Sequence, residues 1–153
     1  MIAVLQRVSR ASVEVDGAVI GAIERGLLVL LGVEDGDGDA DARALARKIA
    51  GIRVFPGARP MDLDLQAVEG AVLLVSQFTL AASLDRGRRP GFERAAAPDL
   101  AEALYGRVSE ELQALGVSVD HGQFGAHMEV SLLNDGPVTL LLRARDGKVR
   151  ALG

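Results

Sequence analysis

Two short polar stretches stand out for the chemistry they could do. Ser76-Gln77-Phe78-Thr79 interrupts the apolar run Ala71–Leu80 (AVLLVSQFTL). Buried polar side chains cost free energy unless something bonds them, so a strand carrying them either satisfies them locally or delivers them to a pocket. A nucleophilic Ser or Thr needs a base beside it. This stretch supplies none, and His121 and His127, the two histidines of the chain, are distant in sequence. The second stretch is Asn134-Asp135-Gly136-Pro137-Val138-Thr139. Its residue types predict a hairpin turn, with an alternative: Gly136 lets a ligand approach the main chain closely, and a Gly-Pro bond can be cis. A third group is basic. The loop from Arg86 to Arg94 carries four arginines in nine residues, with Phe92 among them. It reads either as a solvated loop or as phosphate contacts made by Arg88 and Arg89 beside an aromatic platform. Phe124 is expected in the core, and His127 faces either a site or solvent.

Composition narrows the classes. The chain has 153 residues, 49% hydrophobic and 25% charged, with no cysteine. That is enough for one packed domain and excludes a disulfide framework, a thiolate metal site and a cysteine nucleophile. Two histidines without metal-ligand spacing argue against a metal centre, and no cofactor is expected. A net charge of -4 argues against a non-specific nucleic-acid coat, although 15 of the 17 basic residues are arginines suited to phosphate. No apolar run approaches the ~18 residues of a membrane span, and the N-terminus does not read as a signal peptide. A cytoplasmic location is expected.

The elements that must position these residues follow from periodicity. Residues 1–10 and Val13–Val15 read as strand. Asp16-Gly17 is hairpin-turn chemistry, and the strand resumes at Ala18. Leu27–Val33 (LLVLLGV) is a strand buried on both faces. Asp37 or Asp39 caps a helix whose stripe is Ala42, Leu45, Ala46 and Ile49. Ile52–Phe55 is a short strand, and Ala71–Leu80 a longer one. Pro98 opens a second helix with Leu104, Val108, Leu112 and Leu115 on one stripe. Val117–Asp120, His127–Leu133 and Pro137–Arg143 are further strands. The expected fold is α+β, a mostly antiparallel sheet with two amphipathic helices. It forms a single domain over 1–143, followed by a loose polar tail over 144–153.

Taken together, SQFTL at 76–80 and NDGPVT at 134–139 resemble the two signature motifs of the D-aminoacyl-tRNA deacylase family, of the D-tyrosyl-tRNA deacylase type. QRVSRASVEVDG at 6–17, GLLVLLGV at 26–33, RVF at 53–55, RRP followed by Phe92, and FGA before Met128 are similar as well. The resemblance runs to about Arg143. Position 91 departs from it, with Gly where the family usually has a small hydroxyl residue.

The resemblance implies a barrel-like fold and a proofreading hydrolase without a cofactor. Such an enzyme cleaves the ester between a D-amino acid, or glycine, and the 3′-terminal adenosine of tRNA. It also implies a homodimer in which a cis Gly136-Pro137 loop reaches the partner's pocket, holds the substrate amino group and rejects L-aminoacyl-tRNA. Ser76, Gln77, Phe78 and Thr79 would form the catalytic strand. Main-chain amides near Phe78 and Thr79 would stabilise the oxyanion, with assistance from the adenosine 2′-hydroxyl. Phe124 and Met128 would join Gly136 and Pro137 in binding substrate, and Arg88 and Arg89 would contact the tRNA acceptor end. A non-catalytic tRNA-binding module is the alternative from another class. A small-molecule esterase is disfavoured by the missing nucleophile–base–acid set.

Overall fold

A computed structural model of the chain describes residues 1–85 and 87–152. Its elements are β1 (Ile2–Val15), β2 (Ala18–Ile23), β3 (Gly26–Gly32), α1 (Asp39–Gly51), β4 (Ala71–Ser76), α2 (Pro98–Ala114), β5 (Ser118–His121), β6 (Glu129–Arg145) and β7 (Lys148–Ala151), with a 3-10 turn at Phe78–Ala81. The strands form one sheet in the order β5-β4-β3-β1-β6-β7, with β2 paired to β1. The ladders of β4 with β3 and with β5 are parallel, and the others are antiparallel. The α+β class and the two helices are as expected.

The sheet is open as a hydrogen-bonded ladder, yet it curls until β2 meets β5. There the Ala22 N–H donates to Asp120 Oδ2 at 2.8 Å. Gly21 packs so closely on the His121 carbonyl that no Cβ would fit. The helices cover one face together. Ala42, Leu45, Ala46 and Ile49 of α1 and Leu104, Val108 and Leu112 of α2 share a core with Leu27, Val29 and Leu31 of β3 and Val72 and Leu74 of β4. Burying each of these Leu, Ile and Val side chains contributes roughly 1.5–3 kcal/mol.

Several local readings are corrected. Asp37 does not cap α1. Its side chain is fully buried, 2.5 Å from the Met1 ammonium and 3.0 Å from Arg145 Nη1. The N-cap is Gly38, whose N–H donates to Asp41 Oδ2 at 3.0 Å. Residues 52–55 form no strand but meet the chain again through the single bridge Phe55–Leu63. β4 stops at Ser76, four residues short of the expected end.

No hairpin forms at 134–136; β6 runs through it as one strand paired along β1. Residues 145–151 are not loose. They turn at Asp146 and Gly147, both at positive φ, and return as β7. This is the same Asp-Gly chemistry that joins β1 to β2.

Candidate active site

β3 and β4 run parallel, and a cavity of about 490 Å³ opens beyond their carboxyl ends. Leu31 and Val33 come from β3 and its extension, and Val75 and Ser76 from β4. Gln77 and Phe78 form the mouth, Tyr105 comes from α2, and Phe124, His127 and Met128 come from the approach to β6. Five residues singled out in the sequence, Ser76, Gln77, Phe78, Phe124 and Met128, therefore line one largely apolar cavity. His127 joins them.

The mouth is shaped by where β4 ends. The Gln77 N–H still donates to the Leu31 carbonyl at 2.8 Å, the last ladder bond. The chain then tightens, and the Leu80 N–H bonds the Gln77 carbonyl at 3.2 Å. Gly32 makes room for this turn, because a Cβ there would lie 2.9 Å from both the Gln77 oxygen and Leu80 Cβ. The first N–H groups of such a turn, those of Phe78 and Thr79, have no carbonyl within it to bond. Of the two residues, Phe78 lines the cavity and Thr79 follows it outside the lining.

Thr79 is exposed and does not line the cavity. Its hydroxyl accepts from Gln77 Nε2 at 2.6 Å, a neutral amide and not a base. His121 is engaged elsewhere, with Nε2 2.6 Å from Ser109 Oγ. Phe78 is 60% exposed and leans on Phe92, ring centroids 4.9 Å apart. Phe92 follows a short loop closed by paired bonds between Ser83 and Gly91. Arg88 and Arg89 sit on that loop, both exposed. Arg86, the first arginine of the cluster, lies outside the described residues.

Gly136 and Pro137 are not brought to this cavity. They lie in a bulge of β6, where Gln6 pairs with Thr139 but Val8 already pairs with Asn134. Proline, which has no N–H to give a ladder, is tolerated at such an excursion. The Gly136–Pro137 bond is cis, and both residues are exposed. Side chains close the bulge. Asn134 Oδ1 accepts from the Val138 N–H at 3.1 Å, and Asn134 Nδ2 donates to Thr139 Oγ1 at 3.0 Å.

Arg7 fastens the bulge to the body of the protein. Its Nη1 donates to the Val54 carbonyl at 2.6 Å and its Nε to the Asp135 carbonyl at 3.0 Å. A charge-assisted pair from a mostly buried guanidinium is a strong fixing. Sequence reasoning assigned Arg7 no role, because its partners are far along the chain.

Tyr105 was also missed, although it stands four residues before Ser109 on the buried side of α2. Its hydroxyl donates to the Leu74 carbonyl at 2.7 Å, tying α2 to β4 just before the mouth. Burial, with the Asp120 carboxylate adding to it, pushes the phenol up to about 12. The unfolded chain releases this proton near its ordinary pKa of about 10, while the folded chain retains it. Tyr105 therefore contributes stability that is present below about pH 10 and is lost as pH rises toward 12. Tyr105→Phe should flatten that alkaline decline in urea-unfolding curves and cost about 1 kcal/mol at neutral pH. An unchanged alkaline limb would contradict this role.

The sequence profile of the D-Tyr-tRNA(Tyr) deacylase family matches residues 4–143. The protein of Anaeromyxobacter dehalogenans called D-aminoacyl-tRNA deacylase is 56% identical over 146 residues, covering 95% of this chain and 98% of its own. A protein of the same name from Symbiobacterium thermophilum is 56% identical over 141 residues, covering 92% and 93%. Among solved structures, one called c-Myc DNA Unwinding Element Binding Protein superposes with a TM-score of 0.89 at 38% identity, covering 95% of this chain and 99% of that one. With the family profile spanning nearly the whole chain and such identity over full-length relatives, the chain belongs to the D-Tyr-tRNA(Tyr) deacylase family and is a hydrolase.

Proposed function

We propose that the chain hydrolyses the ester of D-aminoacyl-tRNA, and of glycine carried on tRNA, releasing free tRNA and the amino acid. The observation that carries this reading is that β4 breaks into a 3-10 turn at Phe78–Ala81 beside an apolar cavity lined by Phe78, and the first amides of such a turn, those of Phe78 and Thr79, have no carbonyl within it to bond. Fixed amide donors aimed at developing negative charge lower a barrier by ~3–4 kcal/mol each without an ionisable side chain. That suits a mouth with no activated nucleophile. Water attacks the ester carbonyl, the amides hold the oxyanion, and the 2′-hydroxyl of the terminal adenosine assists. Phe124 and Met128 pack the substrate in the cavity, beside Ser76 and Gln77.

Chirality is enforced from a second subunit. Gly136 and Pro137 stand clear of their own chain's cavity, on an exposed bulge held by Arg7. In a homodimer they reach the partner's cavity, where their carbonyls accept from the substrate amino group and leave no space for an L side chain. Apolar exposure along β6 supports such a dimer, since Leu132, Leu133 and Leu141 are 38–42% exposed. Arg88 and Arg89 contact phosphates of the acceptor end. The enzyme acts as a proofreader in the cytoplasm, where charged tRNA is found. No helix among the described residues is long and apolar enough to cross a membrane.

The test of the chemistry is a pair of substitutions, one in the protein and one in the substrate. Thr79→Ala should keep activity within about tenfold, because its hydroxyl has no base. A D-aminoacyl-tRNA ending in 2′-deoxyadenosine should react more than about tenfold slower with the wild type. Loss of turnover in Thr79→Ala with retained binding, and a normal rate on the deoxy substrate, would return a protein nucleophile. Binding of substrate by the wild type without release of free amino acid would favour the non-catalytic module.

A further inference from the structure

The last hairpin carries a charge arrangement that the reaction does not use. Residues alternate between faces along a strand. Leu142, Ala144 and Val149 pack on the core, so Arg143, Arg145, Lys148 and Arg150 share the outer face of β6 and β7. The register sets Arg143 opposite Arg150 and Arg145 opposite Lys148. Like charges directly opposite one another destabilise a sheet.

Two carboxylates below relieve part of this repulsion. Arg143 Nη2 lies 2.9 Å from Glu34 Oε1, and Arg145 Nη1 lies 3.0 Å from Asp37 Oδ1. Those carboxylates also serve the Met1 ammonium, Asp37 at 2.5 Å and Glu34 at 3.8 Å. Both guanidinium side chains remain close to half exposed. Among the described residues, Lys148 and Arg150 have no ion-pair partner, and both are exposed. A recess of about 470 Å³ lies over the four cations, with Asp146 at the turn of the hairpin.

This face adjoins the cavity. Glu34, beneath Arg143, bridges to Ala95, and the Asp35 N–H bonds the Arg94 carbonyl at 2.9 Å. The Ala96 N–H bonds Val33 at 3.0 Å, and Val33, Ala95 and Ala96 all line the cavity. Edge strands often carry lysine to discourage pairing with another chain. That would account for Lys148, but not for two facing cation pairs with one member of each on β6.

We infer that the outer face of the β6–β7 hairpin binds the phosphate backbone of the RNA stem whose 3′ end enters the cavity; this rests on the cavity being an aminoacyl-tRNA site. Arg143, Arg145 and Arg150 offer forked donors to phosphate oxygens, and Lys148 a point charge. The family profile ends at residue 143, so most of this surface lies beyond it.

The test compares wild type with Lys148→Glu/Arg150→Glu and with the neutral Lys148→Gln/Arg150→Gln. Both sites are exposed, so the neutral pair preserves the fold if charge reversal does not. On full-length D-aminoacyl-tRNA, charge reversal should raise KM by about tenfold or more with kcat unchanged. The neutral pair should reduce the slope of log KM against log salt by about one to two. Hydrolysis of a D-aminoacyl ester of a short single-stranded 3′ fragment, with no stem, should be the same in all three. Wild-type turnover with unaltered KM and slope in both variants would overturn the inference and assign the cations to edge protection. Filter binding of an uncharged RNA stem reads the surface without turnover. Weakened binding in the variants supports the inference even if the wild type proves inactive as a deacylase, and equal affinity overturns it.

Discussion

Two inactive variants should restore each other when they are unfolded and refolded together. Gln77→Trp fills the mouth of the cavity, which Gln77 lines. Gly136→Trp destroys the bulge. Gly136 has φ 134, and a Cβ there would lie 2.8 Å from Val138 Cγ2 and 3.1 Å from Arg7 Nη2. With the cross-subunit pocket of the proposed homodimer, each variant alone should lose nearly all activity, because every pocket would have one ruined component. In a mixed dimer one pocket inherits both lesions and the other inherits neither. Random association makes about half the dimers mixed, each with one of two pockets intact, so activity should recover to about one quarter of wild type. Thermal melts of each homodimer refolded alone verify that both variants fold. Folded mixtures that remain inactive would show that each pocket is built within one chain.

The frame of this fold was readable because its signals are local. The run LLVLLGV predicts β3, buried on both faces, and it is buried on both faces. The stripe Ala42, Leu45, Ala46 and Ile49 predicts the inward side of α1, and all four are buried. Asp16-Gly17 predicts the first hairpin, whose two residues adopt positive φ.

The readings that failed depend on contacts distant in sequence. Asn134-Asp135-Gly136-Pro137 has the composition of a turn, and local propensity alone would reverse the chain there. β1 overrides it by pairing with β6 on both sides of the segment, and Arg7 holds the Asp135 carbonyl, so the turn residues become a bulge. SQFTL looks like continuous strand because its residue types suit one. It leaves the strand at Gln77 because Gly32, on the neighbouring strand, gives the turn somewhere to pack. Asp37 looked like a helix cap because its main partners, Met1 and Arg145, lie at the two ends of the chain. The candidate site was legible as a set of residues more than as a geometry. The motifs named Ser76, Gln77, Phe78 and Thr79 with Gly136 and Pro137; the structure gathers Ser76, Gln77 and Phe78 with Phe124 and Met128 around one cavity and leaves Thr79, Gly136 and Pro137 outside its lining. Tyr105, which lines the cavity and ties α2 to β4, carries no motif.

Chirality at the level of turnover tests the proposed site most directly. Purified protein should be mixed with tRNA carrying a D-amino acid, glycine or the matching L-amino acid, in excess over enzyme and with no added metal. The proposed recognition of the amino group by the main chain of Gly136 and Pro137 would leave no side chain with which to read a D substituent, so several D-amino acids and glycine should be released over many turnovers at similar rates. On the proposed reading an L side chain would displace the ester from the Phe78 and Thr79 amides, and misplacement of that kind costs at least ~3 kcal/mol, more than about a hundredfold in kcat/KM. Release of L-amino acid at a rate comparable to its D counterpart would contradict the account.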